Sequence, residues 1–172
     1  RNRCPRTYYL THSLAPIMHI TGSVPKAVNC KSVFAPDILK GTARKCGDIA
    51  SIMLCEMDNG SLARVTGCAG WGGHGNWYRI CGEKGNVQNV PGYLEKVRLQ
   101  YNSWQKPEGE EECRIYDSKW YDDDKLNAMA AKATHGGGDF WVVYHFIKYL
   151  SDDVEPFFNV YRSVAMSAVA IC

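Results

Sequence analysis

The tripeptide Asp58-Asn59-Gly60 most constrains how this chain folds, because it separates two runs of apolar and β-branched residues, Ile49 to Met57 and Ser61 to Ala69. Asn-Gly tolerates the positive φ angles of a tight turn, so the two runs are predicted to close on each other as a hairpin. A second pair repeats the arrangement, with Asn76 to Cys81 and Gly85 to Val90 flanking Gly82-Glu83-Lys84-Gly85. Lys26 to Phe34 reads as a strand before the first hairpin, followed by a polar turn at Lys40 to Gly47. Tyr93 to Tyr101 adds a strand after the second, with Leu94, Val97 and Leu99 set among charges. Links this short join antiparallel neighbours, since a parallel pair needs a long crossover.

Helical spacing brackets the strands. Leu14, Ile17, Met18 and Ile20 give an apolar face that ends at Gly22, with Thr11 or Ser13 available as a cap and Pro16 within the first turn. Toward the other end, Lys125 to Ala133 is rich in helix formers, and Phe140, Val143, Tyr144, Ile147 and Leu150 recur at helical intervals. Pro156 opens a last helix carrying Val160, Val164, Ala168 and Ile171. Between sheet and helices, Asn102 to Asp124 holds Pro107, an acidic run from Glu108 to Glu112 and Asp122-Asp123-Asp124, and it reads as a surface excursion. The expected fold class is α+β, an open and mainly antiparallel β-sheet with helices packed on one face, and residues 1–172 are expected to form a single domain.

Charge and composition narrow the function classes. The net charge of +2 comes from 20 basic and 18 acidic residues that are interspersed, which gives no basic stripe for nucleic acid. The longest apolar stretch, Phe140 to Leu150, contains His145 and Lys148 and falls short of the ~20 residues a membrane span needs. The 8 cysteines form no Cys-x-x-Cys pair and lie at no ligand spacing from a histidine, so reduced, buried thiols of a cytoplasmic protein are expected, without a metal site.

Three segments carry candidate chemistry. Tyr9, Thr11 and His12 stand where an aromatic lead-in turns into the first helix, a position from which a titratable ring can face a pocket; the same pattern also suits a packed shoulder of the core. His135 precedes Gly136-Gly137-Gly138, which allow close approach of a ligand or of another backbone, and Asp139 would cap or open the following helix. His74 is flanked by glycines and followed by Trp77, Tyr78 and Arg79, residue types that line sugar pockets and that strands also bury. His19 and His145 fall on helices as core or surface residues. Gly70-Trp71-Gly72-Gly73-His74-Gly75 matches Gly-x-Gly-x-x-Gly, but Asn76 to Ile80 reads as a strand, whereas a dinucleotide site requires a helix there.

The same segments carry a resemblance. Tyr9-Leu10-Thr11-His12-Ser13-Leu14-Ala15-Pro16 resembles the Tyr-Pro-Thr-His-Gly-x-Gly-Pro signature of the glycoside hydrolase family 109 branch of the Gfo/Idh/MocA oxidoreductases. Gly72 to Gly85 resembles the strand and Gly-x-x-Gly turn of that family's C-terminal sheet, and His135-Gly136-Gly137-Gly138-Asp139-Phe140 resembles the His-Gly-Gly-Met-Asp-Phe that opens a late helix. The chain departs from the signature at Leu10, Ser13 and Ala15, and His74 stands roughly where the branch has a substrate-binding tyrosine.

The resemblance implies a C-terminal domain of the dihydrodipicolinate reductase-like type, without the Rossmann domain that precedes it in the family. The opening at Arg1 and the close at Cys172 inside an apolar helical pattern fit the same expectation of a piece of a longer, two-domain enzyme. NAD or NADP would be held by that N-terminal domain, and no cofactor is expected in this chain. The implied roles are His12 as the base that takes a hydroxyl proton, with Tyr9, Thr11, His74 and His135 as substrate-binding residues. The implied partners are a sugar substrate, the chain's own Rossmann domain and a second copy through the β-sheet. The implied activity is NAD(P)-dependent oxidation of a sugar or sugar derivative, with a redox-neutral, NAD-dependent glycosidase as the alternative; a non-catalytic ligand-binding or dimerisation domain is the reading without chemistry.

Overall fold

The computed structural model describes residues 10–35, 48–68, 75–118 and 123–172, and the chain forms two compact units. The first comprises the chain up to Ile80 together with Phe158–Cys172. The second is Cys81–Phe157.

In the first unit, helix α1 (Leu14–Thr21) precedes a three-stranded antiparallel sheet of β1 (Pro25–Phe34), β2 (Asp48–Met57) and β3 (Leu62–Cys68), in that spatial order. Helix α4 (Val160–Val169) returns beside β1, while α1 packs beside β3. Alternation along the strands decides which face they cover. Met53, Cys55 and Met57 of β2 and Ala63 and Val65 of β3 are buried, and register places Val28 opposite Cys55 and Cys30 opposite Met53 on the same side. Leu14 and Met18 of α1 and Val169 and Ala170 at the end of α4 are buried with them. Each leucine, valine or methionine among them contributes about 1.5–3 kcal/mol on leaving water.

The predicted hairpin forms as a three-residue loop. Met57 N donates to Ser61 O and Gly60 N to Met57 O, and Gly60 alone takes a positive φ, +80°. The Asn59 side chain accepts from Ser61 N at 3.0 Å and from Ser61 Oγ at 2.7 Å, which fixes the return strand.

The second unit contains most of a four-stranded antiparallel sheet in the order β4 (Arg79–Gly82), β5 (Gly85–Val90), β6 (Tyr93–Tyr101) and β7 (Cys113–Asp117). Gly85 lies so close to β6 that a Cβ there would stand 2.0 Å from Gln100 O, so only glycine fits. Strand β7 corrects the reading of Asn102 to Asp124 as a surface excursion throughout. Cys113–Asp117 pairs with Lys96–Gln100, and Lys96 Nζ meets Asp117 Oδ1 at 2.7 Å. The unit continues with α2 (Asp124–Ala130), capped by Asp123, then a 3-10 turn at His135–Gly137 and α3 (Gly138–Asp152). The polar turn expected at Lys40 to Gly47 lies outside the described residues.

The α+β class and the antiparallel pairing are those expected, with the strands divided between two sheets. Three helix faces and the cysteines need correction. Ile20 is 62% exposed, because α1 turns only Leu14 and Met18 fully inward. On α3 the periodic Val143, Ile147 and Leu150 are exposed, whereas Trp141 is buried within an aromatic row. Its ring centroid lies 5.1 Å from that of Phe140 and 5.7 Å from that of Tyr144, both edge to face. On α4 Val160 and Val164 are exposed, Ile171 lies exposed beyond the helix end, and the helix starts after an Asn159 cap that accepts from Arg162 N, three residues beyond Pro156. Cys55 is buried as expected of a reduced core thiol, but Cys81, Cys113 and Cys172 are exposed because they sit on β4, β7 and the chain end.

Candidate active site

The first candidate lies in the turn ahead of α1. Leu10 is buried, and its carbonyl accepts from Ser13 N at 3.0 Å and Leu14 N at 2.8 Å. Ser13 occupies the cap position, but its hydroxyl donates to the same Leu10 carbonyl instead of capping, so neither Thr11 nor Ser13 provides the expected side-chain cap. The turn leaves Thr11 and His12 exposed, as binding or proton transfer requires. Tyr78, in the segment leading to β4, donates its hydroxyl to the His12 carbonyl and so ties this turn to a residue 66 positions away. Burial pushes the Tyr78 phenol upward, which keeps it a donor across the neutral range. Tyr9 and His74 lie outside the described residues.

The second candidate lies in the second unit. His135 Nδ1 stands 2.9 Å from Asp139 Oδ1 and 3.0 Å from Oδ2, and the Thr134 hydroxyl donates to the same carboxylate. Those hydrogen bonds, Thr134 first and then His135, hold the Asp139 carboxyl below its ordinary range. Asp139 does not cap α3; Gly137 occupies that position, and Asp139 sits in the first turn, where the helix favours negative charge. Sequence reading missed this pairing and the Tyr78 clamp. Neither had a usable sequence signal: His135 precedes α3 with a left-handed φ of +54°, so its four-residue spacing from Asp139 is not that of one helix face, and Tyr78 is only an aromatic after a glycine-rich run.

Among the described residues no three His, Cys, Asp or Glu side chains converge as a metal site. After Gly75 the described chain runs through Asn76–Tyr78 into β4, so the helix that a dinucleotide phosphate requires does not follow the glycine-rich match, and this segment does not fit NAD or NADP. A cleft of about 300 Å³ is lined by Gly22, Val24, Asp58, Asn159, Tyr161 and Arg162, at the opposite end of α1 from His12, and none of the described candidate residues Thr11, His12 and His135 lines it. No helix is long and apolar enough to cross a membrane among the described residues.

A solved structure, UDP-N-acetylglucosamine 3-dehydrogenase GnnA from Acidithiobacillus ferrooxidans, is similar to this chain with a TM-score of 0.60 and 14% identity, over 94% of this chain and 45% of that one. The fold is therefore that of the C-terminal domain of Gfo/Idh/MocA oxidoreductases, and this chain spans less than half the length of that relative. The chain belongs to the glycosyl hydrolase 109 C-terminal domain family, whose model matches residues 45–172. The segments at Gly72 to Gly85 and His135 to Phe140 lie inside that match, and the segment at Tyr9 to Pro16 precedes it. Comparison with curated proteins gave no match.

Proposed function

We propose that this chain is the sugar-binding and assembly domain of an NAD(P)-dependent oxidoreductase that acts on a sugar or sugar derivative in the cytoplasm. The glycosyl hydrolase 109 family match carries this reading, and the exposed His12 and His135 supply chemistry suited to it. NAD or NADP belongs to an N-terminal Rossmann domain and supplies the hydride acceptor when bound. Within this chain, His12 takes the proton of the hydroxyl being oxidised, while Tyr9, Thr11, His74 and His135 hold the remaining hydroxyls. Assembly as a homodimer uses the outer face of the first sheet, where Val33, Ile52, Leu54 and Leu62 are exposed beside Lys31, Glu56 and Arg64.

A redox-neutral glycosidase is the second reading, favoured by the family to which residues 45–172 belong. There the same base serves an oxidation that is later reversed, after elimination has cleaved the glycosidic bond. The test follows the intact protein with free sugars and nitrophenyl glycosides at the reduced-nicotinamide and nitrophenol wavelengths. Net nicotinamide reduction identifies the dehydrogenase, and nitrophenol release without it identifies the glycosidase. His12→Ala is expected to lower turnover by about 10²–10⁴-fold, the usual worth of a general base. Unchanged turnover in both His12→Ala and His135→Ala refutes the assignment.

A further inference from the structure

His135 is held in a conformation that its neighbours dictate. Its φ is +54°, followed by +62° at Gly136 and +94° at Gly137, so three successive residues lie in the left-handed region. The resulting turn brings the His135 ring against Asp139 in the first turn of α3, with both carboxylate oxygens within 3.0 Å of Nδ1. The Thr134 hydroxyl donates to Oδ2 of the same carboxylate. An ionised carboxylate only accepts hydrogen bonds, so the ring nitrogen facing it carries the proton. In the neutral ring Nε2 is then the acceptor, on a side chain 81% exposed.

We propose that Asp139, backed by Thr134, is a positioning residue that fixes neutral His135 as the Nδ1–H tautomer and thereby makes Nε2 the acceptor for a hydroxyl of the bound sugar. The tautomer stands on this geometry alone; the ligand rests on the sugar-binding reading above. A site built this way selects hydroxyl donors at this position, because a carbonyl or carboxylate facing the lone pair of Nε2 would leave two acceptors opposed. The arrangement is that of a histidine oriented by a buried or partly buried carboxylate in proton-transfer sites, applied here on an exposed turn.

Long-range proton–nitrogen correlation spectra of the histidine-labelled chain, at a pH where the rings are neutral, test the tautomer, with His135→Gln to assign its signals. The expected wild-type result is a protonated Nδ1 and an unprotonated Nε2 for His135. In Asp139→Asn the amide can turn its NH₂ toward Nδ1, and the tautomer is expected to reverse with the far-ultraviolet circular dichroism unchanged. A wild-type proton on Nε2, or a tautomer that survives Asp139→Asn in folded protein, overturns the proposal. Thr134→Val, which keeps both partners and removes the second donor to the carboxylate, is expected to mix the two tautomers, and the wild-type spectrum decides even if Asp139→Asn fails to fold. In the intact protein Asp139→Asn is expected to raise KM for the sugar about tenfold, the loss of one hydrogen bond with its acceptor misdirected. Unchanged KM with a reversed tautomer overturns the role of Nε2, whereas wild-type protein that turns over no sugar overturns the proposed function and leaves the tautomer result standing.

Discussion

Replacing Gly137 with alanine tests the turn that presents His135, and its cost has two separable parts. Gly137 has a φ of +94°, where a residue with a Cβ is strained by about 1–2 kcal/mol. The added Cβ would also stand 3.2 Å from Ala130 O and 3.3 Å from Ala130 Cβ. Neither neighbour yields easily, because Ala130 is buried at the end of α2 and its carbonyl already accepts from Ala133 N at 2.9 Å. Displacing them adds about 1–2 kcal/mol, the lower part of the range for overpacked sites. The expected loss is therefore about 2–4 kcal/mol, or a fall in Tm of about 4–16 °C for a chain of this size. Gly136→Ala is the control: its φ of +62° is left-handed, but nothing lies within 4 Å of the added Cβ, so only the strain of about 1 kcal/mol applies. Paired urea and thermal unfolding curves measure both. Equal losses in the two variants, or a loss below about 1 kcal/mol at Gly137, would refute the close packing of this turn against α2.

Three further outcomes follow from burial and charge. Leu14 is fully buried, and Leu14→Ala is expected to destabilise the first unit by about 2–5 kcal/mol in urea titration. Burial first, and the neighbouring Cys30 second, raise the Cys55 thiol, so iodoacetamide followed by mass spectrometry should modify Cys55 after the exposed Cys81, Cys113 and Cys172; simultaneous labelling contradicts this. The depressed Asp139 carboxyl contributes stability above its unfolded pKa of about 3.9 and loses it as pH falls through the lower folded value, so the stability gap between wild type and Asp139→Asn should shrink below about pH 4 in acid unfolding.

Strands were legible where turn chemistry and alternation agreed. β2 and β3 are joined at Asn59-Gly60, and every second residue from Met53 to Met57 is buried, so local and tertiary preferences coincide. β7 was not legible because Cys113–Asp117 is short, exposed throughout and next to an acidic run; its partner β6 supplies the reason for it to be extended. Helix existence was legible and helix facing only in part, since Leu14 and Met18 of the α1 stripe are turned inward but Ile20 is not. An apolar stripe such as Val143, Ile147 and Leu150 records periodicity, but contact decides which stripe is covered, and on α3 the aromatic row around Trp141 is the covered one. The site divides in the same way. His135 was visible in its glycine-rich run, while its pairing with Asp139 depends on left-handed backbone that sequence alone does not specify.

His12 and His135, the two described candidate imidazoles, are positioned by different means, and one substitution distinguishes them. Asp139 grips the ring of His135, whereas Tyr78 grips the main chain of His12, so Tyr78 holds the backbone of the turn and Asp139 sets which nitrogen holds a proton. Tyr78→Phe removes one hydroxyl donor and leaves the aromatic body in place. Its expected cost is about 0.5–1.5 kcal/mol, the net worth of one hydrogen bond. Because Ser13 N and Leu14 N both donate to Leu10 O within that turn, their amide exchange should quicken in Tyr78→Phe while the global unfolding transition moves only slightly. Unchanged exchange at both amides would mean that the Leu10 carbonyl alone secures the turn and that Tyr78 contributes packing without positioning His12.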